Sequence, residues 1–325
     1  MAVIISKINQ SGGADYTTLQ AWFNALPNPL TGSGGNVYQA SVQGTLSGTG
    51  VLLDTSGNSM NASNYIIVTS DTGQGFRDNA GVRTNALAYN ATNGAAITSS
   101  SGTATITFFA AYSFIQDLQI QNTGGGKTIY LTGGLNNTIA DSIIDGNNSS
   151  FTGVIQDSDT TTAIYRCLAI NRAGSGNRVI YNTSNGSSYI GCTFAVPSDA
   201  AGKPDAVVYY DTGAASATQE NCAIYGGTAA YGGSGTTPTF TNCMTDATGT
   251  TGLTGSTTYA NQFVNTTTSS QDWREKNSSA NLYGAGVQDS TNDAVDITGT
   301  TRKAPPDIGA WEILNPASIW VYSLR

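Results

Sequence analysis

The sequence predicts an all-β chain wound as a parallel β-solenoid, and three observations carry that prediction. Helix formers are scarce: the 325 residues include only 3 Glu, 5 Lys and 3 Met, against 39 Gly, a composition with little intrinsic preference for helix. Short β-branched segments return at a near-constant interval, with Gly, Asn, Ser and Asp between them and no helical stretch. Sixteen Tyr, 9 Phe and 4 Trp are spread along the chain. That is enough to furnish a core, so the low charge of 10% does not mark disorder, which pairs few aromatics with high net charge.

The interval is set by two series. Cys167, Cys192, Cys222 and Cys243 stand 25, 30 and 21 residues apart, each in a strand-like segment such as Ile164-Tyr-Arg-Cys-Leu-Ala-Ile170. Steps of 25 back from Cys167 reach Ser142 and then Asp117. The second series, Ile129, Val154 and Val179, is again spaced by 25, and Val207 follows after 28. A repeat of this length signals a solenoid, propeller or array, and the missing helices leave a β-solenoid. About 25 residues per coil suits three short strands and three turns, with coils stacked ~4.8 Å apart. The uneven steps then read as insertions and trims in the turns. Stacking places like residues in columns, so the four Cys read as small buried hydrophobes inside the tube. A disulfide between rungs or a zinc site fits less well, since CxxC spacing and His are both absent.

Three regions follow. Residues 1–60 form an N-terminal cap with first irregular strands. Within it, Asp15-Tyr-Thr-Thr-Leu-Gln-Ala-Trp-Phe-Asn-Ala-Leu26 has Leu19, Trp22, Phe23 and Leu26 at helical spacing. Asp15 or Thr17 is the expected N-cap, and Pro27 and Pro29 end the helix. A helix there covers the open edge of the first rung. Residues 61–250 are the β-helix body. Residues 251–325 lose the period and read as last coils, a closing cap and an apolar tail, Ile313-Leu314 and Ile319-Trp-Val-Tyr322.

Two stretches carry a family resemblance. Asp293-Ala-Val-Asp-Ile-Thr-Gly-Thr-Thr-Arg302 followed by Pro306-Asp-Ile-Gly-Ala-Trp-Glu312 resembles the tail of many right-handed parallel β-helix proteins of the pectin-lyase-like group. Ser11-Gly-Gly-Ala-Asp-Tyr-Thr-Thr-Leu-Gln-Ala-Trp22 is similar to the opening of bacterial and phage members. The resemblance implies a right-handed tube. It leaves function open, because that fold hosts lyases, hydrolases, tailspikes and inert scaffolds.

Chemistry is thinly supplied. The net charge is −8, so the basic footprint of a nucleic-acid binder is missing. Without His, the commonest general base and any Ser-His or Cys-His unit are absent. No run of 18 apolar residues is present, so no membrane-spanning helix is expected. Met1-Ala-Val-Ile-Ile-Ser-Lys7 lacks the charged start and long apolar run of a signal peptide. Glycoside hydrolysis needs two nearby carboxylates. Asp157 with Asp159, or Asp141 with Asp145, are the candidate pairs, but turn and surface roles suit them better. Asp141 is expected to stack on Arg166 as an ion pair across rungs. Glu220 and Glu312 are isolated. A lyase needs a calcium-holding acidic cluster and a base. The body's bases are Lys127, Arg166, Arg172, Arg178 and Lys203; Arg166 and Arg172 share a coil and are placed to face a groove, though a solvated ion-pair face is the favoured reading. Tyr209, Tyr210 and Tyr231 are candidates for stacking on sugar.

These readings favour a non-enzymatic structural protein of a phage virion, a capsid decoration protein or small tail component, assembled in the host cytoplasm. No catalytic, binding or metal residue and no cofactor is assigned. The alternative is a carbohydrate-active enzyme or glycan-binding β-helix. Expected partners are other virion proteins, such as the major capsid protein, and a cell-surface glycan. The apolar tail on a polar tube is a patch of the kind that marks an interface, and the resemblance implies three-fold symmetry. Light scattering of the purified chain is therefore expected to give a trimer, and deletion of residues 313–325 a monomer; a monomer before deletion refutes this.

Overall fold

A computed structural model describes residues 2–27, 30, 35–48, 50–54, 60–109, 111–147, 153–158, 161–173, 178–211, 217–278, 280–289 and 291–314. The architecture is the one predicted, a parallel β-helix. Among the described residues the chain circles through three parallel sheets of nine, nine and seven strands. Sheet 1 begins with β1 (Ala2–Ile8) and ends with Thr239–Thr241; sheet 2 runs from Thr45–Gly48 to Leu253–Thr254, and sheet 3 from Val51–Asp54 to Ala229–Gly233. One coil shows the circuit: Thr138–Ala140 lies in sheet 1, Ile143–Gly146 in sheet 2 and Ile155–Asp157 in sheet 3.

Strand alternation explains the core. In successive coils Ile115, Ile139, Ile164 and Tyr189 point inward from sheet 1, while Ile120, Ile144, Ala169 and Phe194 point inward from sheet 2. The expected helix is α1 (Leu19–Asn24), and it buries Leu19 and Trp22 against the first coils. Its N-cap is Thr18, whose hydroxyl accepts from Ala21 N at 3.1 Å. Neither Asp15 nor Thr17 fills that role; Asp15 instead accepts from Lys7 N at 2.8 Å.

The sheet 1 to sheet 2 corner keeps the register. Asp117, Asp141, Arg166, Asn221 and Asn242 all have φ between 48° and 53°, and Gly191, in the same column, has 61°. Left-handed backbone is tolerated by Gly and, among other residues, best by Asn and Asp. Arg166 is the exception in type. The next residue in each coil points inward, giving the column Leu118, Ser142, Cys167, Cys192, Cys222, Cys243. Two spacings therefore differ from the constant 25. Thr138 pairs with Phe114, so Ser142 stands over Leu118 and Asp117 belongs to the left-handed column. Ile129 pairs with Ile155, so Val154 stands over Thr128. A pattern of apolar residues cannot register a one-residue trim or insertion in a turn.

The Cys column is core, as expected, and also satisfies carbonyls. Cys192 Sγ lies 3.3 Å from Ile164 O and 3.4 Å from Ile190 O, and Cys222 Sγ lies 3.3 Å from Tyr189 O and from Glu220 O. Each thiol is thus a weak donor bridging its own coil and the one before. All four are free and fully buried.

Residues 259–313 turn back along the outside of the tube and cover sheet 2. Phe263, Trp273, Leu282, Ile297, Ile308 and Trp311 form a second core with the outward Ile143, Leu168, Ile170, Ala223 and Tyr225, joined by Phe76 and Leu87. Sheet 2 is therefore buried on both faces, which its near-continuous apolar strand Leu168-Ala-Ile170 reflects. Of the apolar tail, Ile313 packs on this core and Leu314 is exposed; Ile319 to Tyr322 lie outside the described residues. An aqueous thiol reagent is expected to label none of the four Cys in the native protein and all four in denaturant. Labelling of even one without unfolding would contradict the stacked column.

Candidate functional site

The residues singled out by sequence fall into four places. Asp157 is fully buried inside the tube, where the hydroxyls of Thr162 and Ser187 each donate to it at 2.8 Å. It has neither a turn, a surface nor a catalytic position, because Ile155, Gln156 and Asp157 alternate in, out and in along the strand. Asp159 lies outside the described residues. Of the tyrosines, Tyr210 is buried and bonds Gln219, while Tyr231 packs on Phe240 at the end of the core. Tyr209 does face outward, but its ring lies 5.6 Å from that of Tyr181 at 11°, and Arg178 sits 3.3 Å from its centroid. Those contacts occupy the faces a sugar would need.

The second place is the left-handed corner. Asp141 meets Arg166 as expected, Nε to Oδ1 at 2.7 Å and Nη2 to Oδ2 at 3.0 Å. Arg77 adds a second guanidinium at 2.9 Å. Arg166 also donates to Asn292 O, so the pair anchors the covering segment. These contacts hold Arg166 at positive φ. Asp117, one coil below, accepts from Ser70 Oγ at 2.6 Å, and burial pushes its carboxyl up to about 6. Among the described residues no three acidic or Cys side chains gather so as to hold a metal ion.

The third place is the end of the covering segment. Glu312 is buried and takes bonds from Asp307 N at 2.9 Å and Lys303 Nζ at 2.8 Å. Asp293 pairs with Arg302 at 2.9 Å, and Ile297 N bonds Ala310 O at 2.8 Å. The two motifs behind the family resemblance thus clip to each other. Glu220, half-buried on sheet 1, is raised by burial and by Asp289.

The fourth place is concave. Where the cover of sheet 2 runs out, a polar hollow of about 540 Å³ opens between residues 85–93 and 268–271. Arg172, Tyr89 and Gln121 line it. Arg172 Nε donates to Asp145 Oδ1 at 2.8 Å, and its Nη2 donates to Oδ2. Asp145 is fully buried and its carboxyl is raised by burial, opposed by Arg172 and a bond from Gln121. Arg172 keeps 29% of its side-chain area exposed, and its Nη1 makes no hydrogen bond among the described residues. The walls are fixed. Asn90 N bonds Gln119 Oε1 at 2.8 Å, Asp272 accepts from Leu87 N at 3.1 Å, and Asp199 accepts from Thr268 N and Oγ1 at 2.6 and 2.7 Å. So Arg172 does face a groove, whereas Arg166, at the other end of the same sheet 2 strand, is taken up by Asp141 and Asn292. Tyr89 and the 268–271 wall gave no sequence signal, since only the fold-back of a distant segment makes them neighbours.

No family model and no curated protein matches this chain. Among solved structures, the crystal structure of pectate lyase Pel9A is similar over 97% of this chain and 97% of its own, with 12% sequence identity and a TM-score of 0.49.

The raised carboxyl of Asp117 gives a pH dependence of stability. The folded state holds its proton up to about pH 6, whereas an unfolded Asp releases it near pH ~3.9. Between these values the native state binds more protons, so stability falls as pH rises through the window and stays lower above it. Asp117→Asn is expected to flatten that slope and to stabilise the protein by about 1–2 kcal/mol at pH 8, allowing for partial solvent screening. Urea unfolding at pH 4, 6 and 8 measures it; parallel curves for the two proteins would show no such proton.

Proposed function

We propose that the protein is a non-catalytic, glycan-binding β-helix whose recognition site is the hollow at Arg172. The observation that carries this reading is the anchored guanidinium: Asp145 fixes it from behind while amide, hydroxyl and phenol groups surround its exposed side. Such a rim offers alternating donors and acceptors to a polyhydroxylated ligand, and fixed walls lower the ordering cost of binding. Catalysis is less well supported. Asp145 is paired through both oxygens, so it neither attacks nor exchanges a proton freely, and among the described residues no carboxylate lines the hollow, where hydrolysis requires two.

A second reading concerns where the protein is carried. The free edge of β1 exposes Val3, Ile4 and Ile5 at 54%, 42% and 56%. The one charge of this strand, Lys7, pairs with Asp71, and an apolar stretch at a sheet edge is a template for another strand. This favours incorporation into a larger particle, and a phage virion is the one we propose, with the trimer as its unit.

An oligosaccharide panel read by calorimetry and by product analysis tests the first reading. Binding without reducing ends or unsaturated products is expected, and Ser269→Trp, which fills the hollow from an exposed wall position, is expected to weaken it at least about tenfold, or ~1.4 kcal/mol. Released products, silence across the panel, or undiminished binding by the Trp variant would each overturn it.

A further inference from the structure

The end of the covering segment gathers more carboxyl groups than its cations neutralise. Lys303 Nζ donates to Asp307 Oδ1 and, at 2.8 Å, to Glu312 Oε1, with the Tyr283 ring 4.0 Å away. Asp307 is fully buried. Its Oδ1 also accepts from Gly284 N at 2.6 Å and its Oδ2 from Ile313 N at 2.7 Å. Glu275 brings a third carboxyl against Asp307. It is 6% exposed, and neither of its oxygens accepts a hydrogen bond from a nitrogen or hydroxyl donor among the described residues. A buried acid without such a donor calls for an explanation. Burial, then the neighbouring Asp307, pushes Glu275 up to about 10, so it carries a proton at neutral pH.

We propose that this cluster is a self-modification site at which Lys303 and Asp307 join through an isopeptide bond. The ammonium first passes a proton to Asp307, leaving a neutral amine beside a neutral carboxylic acid. The amine attacks Cγ of Asp307, and Glu312 takes the proton released from nitrogen. Glu275 gives its proton to the departing oxygen, and the C–O bond breaks as the N–C bond is completed. Water leaves, and Glu312 returns its proton to Glu275, so the sum is one ammonium and one carboxylate converted to one amide and one water. No oxidant, metal or second substrate enters. Gly284 N points at Oδ1 and Ile313 N at Oδ2, so whichever oxygen stays and takes the negative charge has a donor aimed at it, the arrangement that stabilises a tetrahedral intermediate. Burial near the apolar Leu282, Ile308 and Trp311 disfavours the Lys303 ammonium, but its bonds to Asp307 and Glu312 outweigh that and raise Lys303 above its usual range, so the proton transfer to Asp307 is the uphill step.

Intact-mass spectrometry of the purified full chain, denatured and reduced, tests this. The wild type is expected to be lighter than its sequence by one water, with fragmentation placing the link between 303 and 307 and trypsin failing to cut after Lys303. Lys303→Arg is expected to have the full sequence mass. Glu275→Gln keeps the shape and neutrality of the protonated acid without its acidity, so it folds while forming the link about a hundredfold more slowly. A wild type at full mass overturns the proposal, and so does a water lost at another residue. A Glu275→Gln protein that cross-links as fast as wild type removes Glu275 from the reaction.

Discussion

The regular body of this molecule hangs on one corner being the same in six successive rungs. Between sheet 1 and sheet 2 the chain makes one left-handed residue and then one inward residue, from Asp117-Leu118 through Asn221-Cys222. A parallel ladder tolerates no slip when one face is buried, because a one-residue shift turns every side chain to the other side. The fixed corner supplies that register once per coil. Within these rungs length changes are displaced to the other two corners, so a coil can take 21 residues or 30 without disturbing the stack; one coil earlier, between Tyr65–Ser70 and Ala96–Ser99, the same corner carries the insertion of residues 71–95. The left-handed positions cost about 1–2 kcal/mol for a residue with a Cβ. Asp, Asn and Gly reduce that cost, and Arg166 offsets it with its contacts to Asp141 and Asn292.

The second organising fact is that sheet 2 has apolar residues on both faces. Ile143, Leu168 and Ile170 point away from the tube, and each gains about 1.5–3 kcal/mol only if something covers it. The covering segment does so, held by Arg83 to Asp296 and by Arg166 to Asn292, and clipped within itself by Asp293 with Arg302. Where the outward row changes from apolar Ile170 to Asp145 and then Gln121, the cover stops. The polar hollow lies at that boundary. The candidate site is thus a by-product of where the apolar face ends.

This explains what sequence could and could not reveal. Fold, circuit length and the inward Cys were legible because they repeat, and repetition averages out local noise. The Asp141–Arg166 pair was legible because it lies within the repeat. Arg77 was not, nor were Tyr89 and the 268–271 wall, since each reaches its partner from outside the period. Asp157 was misread because an acid in a strand suggests a turn, whereas Thr162 and Ser187 supply the donors that make burial tolerable. The tail motifs were recognisable as a pattern before their work as a clip was visible.

Finally, the order of the chain matters for how the tube is made. The outward Leu168 and Ile170 are synthesised long before Trp273, Leu282 and Trp311, which shield them. Until those residues emerge, a nearly finished tube presents a stripe of sticky rungs to the crowded cell. Such transient surfaces are where aggregation and chaperone capture begin. A ribosome that stops short of the clip would release a cylinder complete in outline but with one adhesive wall.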